Sequence, residues 1–378
     1  MVGRRLWRNL DYPFIGSIIA ILALSLVVLN SAAAGISADP DYYVKRQFLW
    51  IILGFGAMLA AIKVDYQVLR RYHLPIYLFN LALLVAVLLV GNEAKGAQRW
   101  IALGSFIFQP SEFAKISVII TLSRLLEARQ GRLNNLKDLV MPFLHIALPM
   151  LLILVQPDLG TALVLMAILL GMLYLAGANT ALLAKLIITG GVLVSFALFA
   201  HFHYGLPLPL KEYQLQRLVV FLNPYNDGEG GLGAGYHIIQ SQIAIGSGGI
   251  WGKGLHQGSQ VHLNFLPEHH TDFIFSVVGE ELGFIRTLGV LGLYFILLYR
   301  TLHIAGRAKD MFGALLAGGV ASLFAFHLLV NIGMTIGIMP VTGIPLPLFS
   351  YGGSAMLSNL LSLGLVLNVN LRRQKIPF

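Results

Sequence analysis

Apolar residues in this chain come in successive blocks of membrane-spanning length, not at the one-face spacing of a soluble amphipathic helix. A helix that crosses the hydrocarbon core of a bilayer needs roughly 20 such residues, so lipid is the expected solvent for most of this sequence. Of 378 residues, 57% are hydrophobic and only 11% are charged, against about 25% charged in a soluble domain. The blocks place ten membrane helices near 13–33, 47–63, 74–91, 111–126, 142–156, 161–177, 183–203, 272–299, 312–336 and 354–371. The expected fold is an all-α polytopic membrane protein, a single integral membrane domain over 1–378. The fourth span is the least hydrophobic. The fifth and sixth are short and are separated only by the turn QPDLG (156–160). The opening MVGRRLWRN and the later NSAAAG (30–35) imitate a cleavable signal. The apolar stretch from Pro13 to Leu29 is longer than a typical signal core, so a retained first helix is expected.

The net charge of +9 points to membrane orientation and away from nucleic acid, because the cations sit in short loops between apolar blocks. The clusters Arg4–Arg8, Lys63–Arg71, Arg124–Lys137, Arg307–Lys309 and Arg372–Lys375 share one face, while the opposite short loops hold chiefly Lys45, Arg46, Lys95 and Arg99. Both termini are therefore expected in the cytoplasm. A large extracytoplasmic loop, about 204–271, then falls between helices seven and eight. Its segment YHIIQSQIAI (236–245) reads as a short interfacial helix. With no cysteine in the chain, neither disulfides nor thiolate chemistry has to be placed.

An ionised side chain at membrane depth costs about 2.5–3.5 kcal/mol on insertion scales and marks a candidate functional site. Four places qualify: Glu112 with Lys115 in QPSEFAK, Asp158 in QPDLGTA, Asp272 in HHTDFIF, and Glu280 with Glu281. The first three lie at outer helix ends and can share one cavity. Each also has a plain structural reading: Glu112 and Lys115 are three apart and can simply pair, while Ser111, Asp158 and Asp272 stand where helix N-caps belong. A helix starting at Asp272 puts Ser276, Gly279 and Gly283 on its face, either as a close packing seam or as a groove for a lipid chain. Glu280 and Glu281 lie about 12–14 Å deeper and need partners from other helices. In the outer loops Arg99, Lys211, Arg217, Lys253 and His256 offer donors to phosphate or sugar. The last outer loop, MPVTGIPLPLFSYGGSAM (339–356), puts prolines, glycines and Ser350 at membrane depth, so it is expected to wall the same cavity. Glu268, His269 and His270 match no zinc spacing; a transient divalent cation such as Mg or Mn is the only metal expected.

The stretches GAQRWIALGSFIFQPSEFAK (96–115), QPDLGTA (156–162), 223–254, FLPEHHTDFIFSVVGEELG (265–283) and GIPLPLFSYGGSAM (343–356) together resemble the SEDS family of bacterial cell-wall polymerases (shape, elongation, division and sporulation), in its elongation branch. Order, spacing and the ten-helix plan agree from about residue 10 to the end. The resemblance implies a peptidoglycan glycosyltransferase that uses lipid II, with undecaprenyl lipids as carriers. It implies that Asp272 is the catalytic residue, with Glu112, Lys115 and Asp158 as functional companions. The implied partner is a class B penicillin-binding protein, and the implied location is the bacterial inner membrane with the site facing outward. A lipid II flippase and a non-catalytic scaffold are the rival readings.

Overall fold

The computed structural model describes residues 10–33, 41–94, 97–104, 106–208, 212–227, 229–233, 235–263 and 265–373. Arg4, Arg5, Arg8, Lys95, Lys211 and Lys375 lie outside them. All ten expected spans are helices: α1 (Tyr12–Ala32), α2 (Tyr42–Lys63), then after the short α3 (Tyr66–Arg71), α4 (His73–Val90), α5 (Pro110–Glu127), α6 (Leu136–Val155), α7 (Leu159–Leu175) and α8 (Thr180–Tyr204). The outer segment carries α9 (Glu212–Leu222), α10 (Tyr236–Ser247) and α11 (Ser259–His262), and the last three spans are α12 (Ile274–Gly306), α13 (Met311–Thr335) and α14 (Gly353–Leu371). Among the described residues eight helices are both long and apolar enough to cross a membrane. The other two spans fall short for opposite reasons. Helix α7 is apolar but has only 17 residues. Helix α5 has the length, but Glu112, Lys115, Arg124 and Glu127 make it polar, and it survives because most of its residues are buried by other helices.

Two features depart from the all-α expectation and its single outer loop. Residues 92–108 form a small antiparallel sheet in the order β1 (Asn92–Ala94), β2 (Ala97–Leu103), β3 (Phe106–Phe108). The β2–β3 register, Ile101 opposite Phe108 and Leu103 opposite Phe106, closes over Gly104, whose φ of 64° suits a glycine. The segment 204–271 is also partly helical. Helix α10 forms where expected but docks on protein: Ser241 Oγ donates to the Thr335 carbonyl at 2.7 Å and lies 2.7 Å from Ser276 Oγ.

Polar contacts gather one end of the bundle. Asp11 caps α1 by accepting from Phe14 N–H at 3.1 Å, and Arg300 near the end of α12 donates to the same carboxylate. Tyr66 donates to Asp310 at 2.6 Å, Arg70 meets Glu127 at 2.9 Å, and Arg372 lies 3.5 Å from Asp65. The start of α1 and the end of α14 therefore lie at the same end, as an even number of spans requires. The acidic groups of interest all lie toward the other end.

In the outer segment Asp227 organises the glycine-rich turn by accepting from the backbone N–H groups of Glu229, Gly231, Gly233 and Gly235 at 2.8–3.1 Å. These bonds, that from Gly231 foremost, lower its pKa from 3.8 to about 2. Because the folded value is the depressed one, the contribution is complete above about pH 4 and is lost as pH falls toward 2. The protection factors of the described amides in 227–235, taken relative to their intrinsic exchange rates, are expected to fall over that window in the wild type. Asp227→Asn should exchange faster at neutral pH and show no such acid step.

Candidate active site

The Asp272 turn is held residue by residue. The carbonyl of His270 accepts from Tyr351 N–H at 3.1 Å, that of Thr271 from Ser350 Oγ at 2.6 Å, and that of Asp272 from Asn331 Nδ2 at 2.8 Å. These donors come from α13 and from the irregular segment before α14. The cap reading of Asp272 fails: α12 begins at Ile274 with no side-chain cap, and Thr271 Oγ1 donates back to the Glu268 carbonyl. Asp272 is half-buried, and its Oδ2 lies 3.4 Å from where a Cβ on Gly343 would stand. Gly343 is itself exposed and has φ 73°, so a side chain there would be strained and would stand against the carboxylate.

The irregular segment after α13 joins all the outer acids. Thr342 O lies 3.0 Å from where a Cβ on Gly160 would stand, and Asp158 Oδ1 is 3.7 Å from that same point. Gly343 faces Asp272. Ile344 O accepts the second hydrogen bond of Asn331 Nδ2 at 2.8 Å, and Pro345 O lies 3.2 Å from His327 Nδ1. His327 Nε2 in turn stands 3.4 Å from Lys115 Nζ, which is 2.8 Å from Glu112 Oε1. Four consecutive residues, 342–345, thus touch the surroundings of Asp158, Asp272, Asn331 and Lys115 in order. The segment then goes deeper: Pro347 O accepts from Tyr294 at 2.6 Å and Phe349 O from Ser25 at 2.9 Å. Irregular backbone at membrane depth is tolerated when protein satisfies it in this way.

Lys115 and Glu112 are 1% and 5% exposed. Ser358 Oγ donates to the second Glu112 oxygen at 3.1 Å. The pairing expected from their spacing is present, but the pair lies under the site and Lys115 does not line an open cavity. Asp158 is a true cap, accepting from Thr161 N–H at 3.1 Å and Thr161 Oγ1 at 2.9 Å, while Ser111 is not, since α5 starts at Pro110 after Gln109. Arg99 donates to the carbonyls of Gln156 and Pro157 and comes within 3.9 Å of Asp158. Ser350 serves the backbone of Leu346 and Thr271. Arg217 lies on α9, half-buried. Sequence reading missed His327 and Asn331. Their four-residue spacing on an apolar helix placed them on one face, and that was the available signal.

Glu280 and Glu281 belong to a separate construction. Gly283 has φ 73° and ψ 180° and breaks α12. The outer segment splices the break: Lys253 and Gly254 N–H donate to the carbonyls of Glu280 and Glu281, while Phe284 and Ile285 N–H donate to those of Gly249 and Ile250. Glu280, fully buried, meets Lys253 Nζ at 2.7 Å and accepts from Gln260 N–H at 3.1 Å; Glu281 accepts from Ser31 Oγ at 2.5 Å. Lys253, expected to offer a donor to substrate, is therefore an internal ion-pair partner. The Gly279/Gly283 stripe packs against Ile245 and Gly252, which fills the space a lipid groove would need. Glu280→Gln is expected to cost about 2–3 kcal/mol, the range for a hydrogen bond to a charged group. Thermal unfolding in detergent, with faster exchange across 248–260, checks it.

A family model for FtsW, RodA and SpoVE, described as a cell cycle protein, matches residues 12–375. The chain is 39% identical over 367 residues to the probable peptidoglycan glycosyltransferase FtsW of Trichlorobacter lovleyi, covering 95% of this chain and 93% of that one. It is equally 39% identical over 366 residues to the peptidoglycan glycosyltransferase MrdB of Escherichia coli K12, covering 97% and 95%. A chain from the structure "Structural coordination of polymerization and crosslinking by a peptidoglycan synthase complex" superposes with TM-score 0.80 at 33% identity, covering 97% of this chain and 99% of that one. This chain belongs to the FtsW/RodA/SpoVE family, the SEDS proteins, and is a multi-pass membrane protein of that fold.

Proposed function

We propose that this chain polymerises lipid II into glycan strands, with Asp272 as the general base. The activity class comes with the family and its relatives: the chain is a peptidoglycan glycosyltransferase. In the proposed step the ionised Asp272 takes the proton from the 4-hydroxyl of the acceptor's N-acetylglucosamine. That oxygen attacks the anomeric carbon of the donor sugar, the bond to the pyrophosphate oxygen breaks, and undecaprenyl pyrophosphate leaves with inversion from α to β. A base must be within hydrogen-bond reach of the proton it takes; a half-buried carboxylate beside an exposed glycine supports that placement, since it leaves the carboxylate open to approach. Lys115, held between Glu112 and His327, acts through its charge on the developing pyrophosphate anion without touching it. Asp158 and Arg99 brace the wall around Gly160.

The observation that carries the reading is the run 342–345, which draws the outer acids and the buried cation to one face. A flippase needs ionisable groups strung toward both faces, whereas Glu280 and Glu281 are occupied by the outer segment and by α1. Among the described residues no three His, Asp or Glu side chains converge to hold a metal. Mg or Mn is proposed as a counter-ion brought by the pyrophosphate. The proposed setting is the bacterial inner membrane, termini in the cytoplasm and site outward, with a class B penicillin-binding protein as partner and a role in the elongation branch.

The test is reconstitution with that partner and lipid II. Glycan polymer resolved by gel is the expected product. Labelled lipid II that crosses liposomes without being polymerised would instead establish the flippase.

A further inference from the structure

Three polar aromatic rings from three separate elements meet beside the Asp272 turn. Tyr43 at the start of α2 lies 4.9 Å from His270 and 5.0 Å from Tyr351, centroid to centroid, and those two are 6.1 Å apart. All three are half-buried, while Leu348 and Phe349 on the same segment as Tyr351 are sealed in the core. The cluster is tied directly to the catalytic turn, because Tyr351 N–H holds the His270 carbonyl two residues before Asp272. It also carries charge. Arg46, one turn along α2, lies 5.1 Å over the Tyr42 ring, donates to the Tyr42 hydroxyl at 2.8 Å and reaches Tyr351 as well. Beside it Lys45 lies 3.6 Å from Asp41, whereas Arg46 turns toward the ring cluster.

We propose that Tyr43, His270 and Tyr351 form the subsite for a pyranose ring of the lipid-linked substrate, with Arg46 facing its pyrophosphate. The inference rests on the glycosyltransferase reading and assigns a sugar position within it. The face of an aromatic ring is negative and its edge positive, so it attracts the weakly positive axial C–H groups of a pyranose. Phenol and imidazole groups at the rim supply donors and acceptors for the sugar hydroxyls. A guanidinium matches phosphate oxygens in a planar fork. Simple packing would be served as well by Phe or Leu, and a membrane-interface anchor would not need rings joined to the backbone of the catalytic turn.

The experiment compares Tyr43→Leu, Tyr351→Leu, Tyr43→Phe and Arg46→Gln with wild type, using lipid II polymerisation kinetics and saturation-transfer NMR with the soluble N-acetylglucosaminyl–N-acetylmuramic acid disaccharide. Each leucine variant should raise KM about tenfold with kcat within about threefold, the signature of lost binding common to ground and transition states. The phenylalanine variant, which keeps the ring face and loses only the hydroxyl, should raise KM less than the leucine variants. Arg46→Gln should raise KM for lipid II yet leave unchanged the NMR signal of the disaccharide, used with its lactyl carboxyl blocked as the methyl amide so that it carries neither carboxylate nor pyrophosphate. The proposal is overturned if both leucine variants keep the wild-type KM, or if they lose kcat or thermal stability alone, which would make the rings packing or interface anchors. Failure of the wild type to polymerise lipid II would overturn the glycosyltransferase reading; the NMR arm still decides whether the rings bind saccharide.

Discussion

Asp272→Asn is expected to lower the polymerisation rate by about 10²–10⁴-fold, the usual worth of a positioned general base, and to leave the fold intact. The substitution changes one carboxylate oxygen for an amide nitrogen and removes the proton acceptor. The turn keeps its place because Asn331, Ser350 and Tyr351 hold it through backbone carbonyls that the asparagine also has. Lipid II turnover with the purified complex, alongside thermal unfolding, measures both parts. A variant that polymerises at the wild-type rate removes Asp272 from the role of base; one that loses stability as well as rate makes it a structural residue.

The second large effect concerns Glu112 and Lys115. Removing one member of a buried ion pair leaves the other uncompensated and typically costs about 3–5 kcal/mol. Glu112→Ala leaves the Lys115 ammonium, 1% exposed, with His327 3.4 Å away and no counter-charge from Glu112, and should destabilise the protein by that amount. The double variant Glu112→Ala/Lys115→Ala removes both charges, so its stability should recover most of the loss while its activity does not. That divergence separates the pair's part in folding from the proposed charge role of Lys115 toward the leaving pyrophosphate. Lys115→Arg should retain more activity than Lys115→Ala, and equal rates in both would remove the charge role. Stability that fails to recover in the double variant would show that the pair's hydrogen bonds to Ser358 and His327, and not its charge balance, hold these helices together.

Much of the site was legible because its residues are costly where they stand. Asp272, Asp158, Glu112 and Lys115 stood out as charges in apolar surroundings, and the structure brings all four to the end of the bundle opposite Asp11, Arg70 and Arg372. His327 and Asn331 did not stand out, since one neutral polar residue per turn is unremarkable in a buried helix. Lys253 was misread for a related reason. Its charge was visible, but its ion pair with Glu280 joins residues 27 apart through a splice that no local spacing encodes.

The sequence alone determined the membrane class and the positions of the ten helices, because burial of most apolar blocks in lipid depends on length and composition; the polar α5 also needed the neighbours that bury it. Long-range motifs determined the family. Only the tertiary structure decided that α12 breaks at Gly283, that 248–254 supplies the hydrogen bonds freed there, and that 342–345 links the acids in order. The reason is physical. Irregular backbone at membrane depth must find every hydrogen-bond partner within the protein, and those partners lie on elements far apart in the chain, where only folding can choose among them.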